Sequence, residues 1–197
     1  MASIPQKIDQ LRKKAFFTSK DARAIGLHPA YLSYYAKTGV IEKVGRGIYK
    51  DPEMDFEVDP VWEDLFFTAS CIESGVICGI SALMYYDLTD EFSRGHHIAI
   101  PNSKMMKAPI NTKIYRVRNL SFGIDTLKVG KLRVKIYDRE RAVIDAFRNQ
   151  STEVGIKALR RYLDGSADHK IDIAKLHRHA KQYRFNLSPY FLSLTTI

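Results

Sequence analysis

The chain has 197 residues, 45% of them hydrophobic and 27% charged, enough for one medium domain or two small ones and polar enough to be soluble. It holds no apolar run of the about 18 residues that a membrane-spanning helix needs, and its start, MASIPQKIDQLRKKAFF, lacks the apolar centre of a signal peptide. The net charge of +9 is unevenly spread: residues 1–50 carry ten Lys/Arg against three acids, 51–99 carry Arg94 against eleven acids, and 100–197 carry twenty against eight. Two basic blocks around an acidic one predict two surfaces able to meet phosphate; the plainer reading is solvated surface.

Ile4, Ile8, Leu11 and Ala15 keep a helical period and predict a first helix over 4–14. Thr18 is placed to cap a second helix through Ile25, which Gly26 ends. His28-Pro29 opens a third, with Pro at its first position, running to about Thr38 before Gly39. The short connection with a glycine is the spacing of a helix-turn-helix. In the third helix Leu32, Tyr35 and Ala36 form the core stripe, leaving Ala30, Tyr31, Ser33, Tyr34 and Lys37 for solvent or a DNA groove. Ala22 and Ile25 of the second helix point inward, Lys20 and Arg23 outward. IEKV and IYK then flank Gly45-Arg46-Gly47, a hairpin that carries Lys43 and holds Arg46 at its tip, a wing able to reach a phosphate or a minor groove.

DPEMDFEVDP (51–60) is acidic, holds two prolines and has no clean period, so it is expected to be a linker. Asp59-Pro60 starts a helix with Val61, Trp62, Leu65, Phe66 and Ala69 on its apolar face, and Ser81–Tyr86 is a further helix. From His96 the period changes to two: HHIAIP, TKIYRVRN, DTLKVG and KLRVKIYD are four strand candidates, with a hairpin turn at Gly130-Lys131. In the last, Leu132, Val134 and Ile136 alternate with Lys131, Arg133 and Lys135, predicting one buried face and one basic face. Asp138 caps the helix DRERAVIDAFRN, with Ala142, Val143, Ala146 and Phe147 inward; TEVGIKALRRYL and Ile171–Gln182 are two more, and YFLSL docks back on the fold.

No catalytic set stands out. No Cys or carboxylate lies at ligand spacing around His96-His97, and His177 and His179, two apart on a helix, point in different directions. Asp87, Asp90 and Glu91 are close enough in sequence to hold Mg²⁺, but a solvated acidic loop is expected instead. Cys71 and Cys78, in apolar surroundings, are expected to be buried thiols of a cytoplasmic protein rather than a disulfide or metal pair. No metal, cofactor or catalytic residue is expected. Gly45-Arg46-Gly47 lacks a phosphate-loop pattern.

FTSKDARAIGLHPAYLSYYAKTGVIEKVGRGIYKDP resembles the N-terminal domain of AbiEi-type antitoxins, the transcription-regulating half of type IV toxin–antitoxin (abortive infection) systems. The resemblance rests on Phe17-Thr18, Gly26-Leu27, Leu32, Lys37 to Gly39 and the hairpin from Val44 to Tyr49. CGISALMYYDLT and YDRERAVIDAFRN, with Arg141 and Asp145, resemble later segments of the same family, so the likeness runs along about the whole chain. Where this helix has Tyr34 the family usually shows Arg or Lys.

The resemblance implies an α+β protein: a winged helix-turn-helix domain over 1–50, a linker over 51–60, and an α/β antitoxin domain over 61–197 with a small, mainly antiparallel sheet flanked by helices. It implies a cytoplasmic autorepressor, not an enzyme, that binds its own promoter as double-stranded DNA with inverted repeats. It also implies functional opposition to a nucleotidyltransferase-type toxin without a stable complex. Lys20, Ala30, Tyr31, Ser33, Tyr34, Lys37, Lys43 and Arg46 are the expected DNA contacts, with Lys131, Arg133 and Lys135 a second basic face. The alternatives are a nucleic-acid-processing enzyme with a winged-helix targeting head, and a protein-interaction module.

Overall fold

Ser3 opens the first helix: its hydroxyl accepts from the Gln6 N–H while the Gln6 side chain accepts from the Ser3 N–H, a reciprocal cap for α1 (Ile4–Arg12). In the computed structural model the described residues are 2–14, 16–45, 47–53, 59–106, 108–109, 111–129, 132–165 and 171–195. They form an α+β protein that divides into two compact units, residues 1–63 with 128–133, and 64–127 with 134–197. No helix among the described residues is long and apolar enough to cross a membrane.

The first unit begins with α1 and the two-residue strand β1 (Phe17–Thr18). Thr18 then caps α2 (Ser19–Ala24): its hydroxyl accepts from the Asp21 N–H at 3.2 Å, and Asp21 accepts from the Thr18 N–H at 2.8 Å. Gly26 and Gly39, with φ of +69° and +77°, adopt the left-handed turn that stops α2 and α3 (Ala30–Lys37), as their positions predicted. Pro29 stands one place earlier than expected, just outside α3. It already has helical angles and its carbonyl accepts from the Leu32 N–H, so it precedes the helix without needing a donor.

Strands β2 (Glu42–Gly45) and β3 (Ile48–Lys50) complete an antiparallel sheet in the order β1-β3-β2. Phe17 pairs with Tyr49 across it, and their rings stack at 6.1 Å. Ile8, Leu11, Phe17, Ala22, Leu27, Leu32, Ile41 and Tyr49 form one core, drawn from α1, β1, α2, α3 and β3 and from the connections that follow α2 and α3. Arg12 forks onto Asp51 with two bonds of 3.0 Å, tying α1 to the residue that follows β3.

The chain continues through α4 (Pro60–Cys71), β4 (Val76–Ile77), α5 (Gly79–Tyr85), β5 (His96–Pro101), β6 (Thr112–Val117), β7 (Ile124–Val129), β8 (Leu132–Tyr137), α6 (Arg139–Asn149), α7 (Thr152–Asp164), α8 (Ile173–Gln182) and α9 (Ser188–Thr195). Their five-stranded sheet has the order β6-β5-β4-β8-β7. Here two expectations need correction. The sheet is mixed rather than mainly antiparallel: β4–β5 is antiparallel, but β4–β8 and β5–β6 are parallel. The connection over 102–111 is long enough to carry the chain back to the start of β5, which a tight hairpin is not. The second correction is Val61, 70% exposed and so not on the buried face of α4, which Leu65, Phe66 and Ala69 provide.

Strand β4 was not anticipated, because two apolar residues between glycine-punctuated segments carry no period. The four longer strands were. The hairpin turn expected at Gly130-Lys131 lies outside the described residues. Helix α9 covers the end of α6, with Phe147 against Tyr190 at 4.7 Å. Cys78 is buried and Cys71 half-buried, both free, and burial pushes the Cys71 thiol up to about 11.

Candidate nucleic-acid interface

Helix α3 lies with one side in the core and one side open. Leu32 is fully buried, and Tyr35 and Ala36 pack half-buried against the same core. Ala30, Tyr31, Ser33, Tyr34 and Lys37 are exposed, which is the division that the helical period predicts. Tyr34 is the most open of the three tyrosines at 60%, and its ring meets Tyr35 edge-on at 5.4 Å. The inner ring thus restrains the outer one.

The charges of this unit are sorted by pairing. Its acids before residue 50 each face a cation: Asp9 faces Arg12 at 3.9 Å, Asp21 faces Lys14 at 2.6 Å, and Glu42 faces Lys50 at 3.4 Å. Burial would raise the Asp21 carboxyl, but the bonds from Lys14 and Thr18 outweigh it and hold it below its ordinary value. Lys20, Arg23, Lys37 and Lys43 are exposed and have no carboxylate partner among the described residues. With Lys13, exposed and likewise without a carboxylate partner among the described residues, and Lys7, which donates to the Gly26 carbonyl, they carry the excess positive charge. Arg46, expected at the hairpin tip, lies outside the described residues.

The second basic face has the predicted alternation. Leu132, Val134 and Ile136 are buried while Arg133 and Lys135 are exposed on one side of β8; Lys131 lies outside the described residues.

Sequence reasoning missed a buried charged network around the start of α6. Asp138 caps α6 through the Arg141 N–H at 2.8 Å, and its other oxygen accepts from His179 at 2.9 Å and Lys175 at 3.0 Å. Glu140 accepts from Lys175 at 2.7 Å and from the Tyr162 hydroxyl at 2.9 Å. Lys175 and His179 are four apart on α8, so they share a face. That spacing is the signal the sequence carries, and His177 and His179, two apart, do not share it.

Ligand atoms of Asp138, Glu140 and His179 lie within 4.8 Å of one another, close enough for a metal ion, yet the Lys175 ammonium already bridges both carboxylates. The arrangement is a hydrogen-bonded, ion-paired strut between α6 and α8. Burial raises the Asp138 carboxyl, but the bonds from His179, Arg141 and Lys175 outweigh it and hold it below its ordinary value.

Arg141 is fully buried. Its guanidinium lies 3.7 Å from the centre of the Tyr137 ring and donates to the carbonyls of Phe122 and, at 3.0 Å, Asn119. Asp145, one turn along α6, is also buried, and burial pushes its carboxyl from 3.8 up to about 6 against the pull of Arg141 and the Asn149 amide. Both residues that carried the family likeness here are internal. The raised value favours the protonated form of the folded protein, so stability from this group is full below about pH 4 and is lost as pH rises through about 6, a change of about 3 kcal/mol. Urea unfolding between those limits is expected to show this loss in the native chain and not in Asp145→Asn; equal pH slopes in both would refute it.

The other candidates for chemistry are occupied by structure. Asp87 and Asp90 pair with Arg161, and Glu91 with Lys157 at 3.4 Å, so the acidic loop faces cations of α7. His96 meets Asp64 at 3.0 Å, and His97 is buried. The Ile80 N–H donates to Nδ1 of His97, which leaves its Nε2 proton for Ser93 at 3.1 Å, and burial lowers the ring to about 4, so it is neutral.

No curated protein matches the chain. Residues 6–49, spanning most of α1 through β3, match the family model of transcriptional regulators described as AbiEi antitoxins, so the resemblance read in the head is borne out over that stretch.

Proposed function

We propose that the chain is a DNA-binding transcriptional autorepressor and the antitoxin of a type IV toxin–antitoxin system, opposing a nucleotidyltransferase-type toxin. The observation that carries this is the open face of α3. It is free of acids, ends in Lys37, which has no carboxylate partner among the described residues, and lies within the residues that match the regulator family. Three helices and a hairpin in this order read as a winged helix-turn-helix, with α3 as the helix that enters the major groove and Arg46 reaching DNA from the wing. Arg133 and Lys135, with Lys131, supply further phosphate contacts. The chain acts by occupying its promoter in the cytoplasm, with no enzymatic step. The ion pairs of Asp87 and Asp90 with Arg161 lend no support to a metal-dependent nuclease.

A gel shift with the DNA upstream of its own coding sequence tests the reading, and absence of a shift at low salt sinks it. Lys37→Ala and Arg46→Ala are each expected to weaken that binding and to lower the slope of log K against log salt by about one unit, the signature of one lost phosphate contact. Unchanged slopes in both would remove these residues from the surface. Co-expression with the neighbouring toxin gene tests the other half: growth should be restored although the two purified chains do not co-elute.

A further inference from the structure

Sequence reading by the open face of α3 is limited by what that face carries. Its residues are Ala30, Tyr31, Ser33, Tyr34 and Lys37, and the whole helix, AYLSYYAK, contains no Arg, Asn, Gln, Asp or Glu. These are the side chains that recognise guanine, adenine or cytosine by specific hydrogen bonds in the major groove, Arg, Asn and Gln with paired bonds. The one basic residue, Lys37, sits in the last turn, away from the N-terminal end by which recognition helices approach base edges. What the first two turns offer is an alanine methyl, one small hydroxyl and two aromatic rings, Tyr31 at 40% and Tyr34 at 60% exposure.

Tyr31 and Tyr34 are three apart and so lie side by side, and the edge-on contact with Tyr35 restrains Tyr34 in the open. In the major groove the apolar feature that distinguishes one natural base from the others is the C5 methyl of thymine. We infer that α3 reads its site through thymine methyl groups packed against the rings of Tyr31 and Tyr34, and that these two residues determine specificity while the surrounding lysines set affinity. The inference rests on the proposed DNA-binding function of the head.

The test uses the full-length chain and a duplex enriched by it from a randomised library. Thymines of that duplex are replaced one at a time by deoxyuridine, which removes only the methyl. Binding is expected to fall about fourfold at each thymine that meets a ring, the factor for one buried methyl group. 5-Methylcytosine, which carries a methyl at the same place, is expected to recover part of the loss where the pair is exchanged. Tyr34→Phe keeps the ring and should keep the deoxyuridine sensitivity; Tyr34→Ala should abolish it at one thymine, and Tyr31→Ala at another. Both tyrosines are exposed, so these variants retain the core. Specific binding with no loss at any deoxyuridine overturns the inference and leaves the DNA-binding reading standing. Sensitivity that persists in both alanine variants also overturns it, since another residue then meets the methyl. Failure to enrich any duplex overturns the DNA-binding reading and the inference with it.

Discussion

Arg141→Leu is expected to destabilise the C-terminal unit by about 3–5 kcal/mol, the range for removing one member of a buried charged arrangement. The replacement fills similar space but strands what the guanidinium served. The carbonyls of Asn119 and Phe122 lose their donor, and the ring of Tyr137 loses the cation 3.7 Å from its centre. Asp145 loses the nearby positive charge that offsets part of its burial, so its carboxyl should rise further above 6. Urea midpoints should fall without a change in slope, and hydrogen exchange along α6 should quicken. Arg148→Ala is the control. Arg148 is exposed, with its cation over Tyr183 at 4.3 Å, and its loss should cost no more than about 1 kcal/mol. Equal midpoints for Arg141→Leu and the native chain would show that the buried cation is dispensable.

Leu32→Ala should cost the head about 2–5 kcal/mol, because the side chain is fully buried at the point where α3 enters its core. A core contributed by about fifty residues has little stability in reserve. The expected outcome is an unfolded or molten head, read by loss of dispersed amide signals from residues 4–50, together with loss of the proposed DNA binding. Tyr34→Ala on the opposite side of the same helix should leave those signals in place. The pair separates the two faces of α3: one variant removes binding by removing the fold, and the other alters binding with the fold intact. A Leu32→Ala head that keeps its spectrum would refute the assigned core.

The head was largely legible because its information is local. Thr18, Gly26, Pro29 and Gly39 mark helix ends within a few residues of where they act, and Leu32, Tyr35 and Ala36 declare their face by spacing alone. The C-terminal unit was legible as elements but not as an arrangement. Four strands announced themselves by alternation, while the parallel pairing of β5 with β6 depends on where the intervening segment travels. The network of Asp138, Glu140, Lys175 and His179 was hidden for the same reason: its members come from two helices separated by α7, and only the fold brings them together. Arg141 and Asp145 were noticed through family likeness, but nothing in an amphipathic pattern foretells a guanidinium in the interior. There periodicity and burial disagree, and the tertiary contacts decide.

Strand β4 has a consequence for how the protein comes into being. It is two residues long, yet it stands at the centre of the five-stranded order, with Ile77 paired to Ile98 on one side and to Ile136 on the other. Until residue 136 has been synthesised and has found residue 77, β6, β5 and β4 can pair only with one another, and the sheet lacks the join to β8 and β7. Closing so long a loop for so short a strand is slow relative to forming local helices and hairpins. The head needs no such closure, since its strands and helices all lie within residues 4–50. On the ribosome these elements can pair while the other sheet still waits for its last central partner, and the half-made sheet is the stage at which this chain is most exposed to wrong pairing.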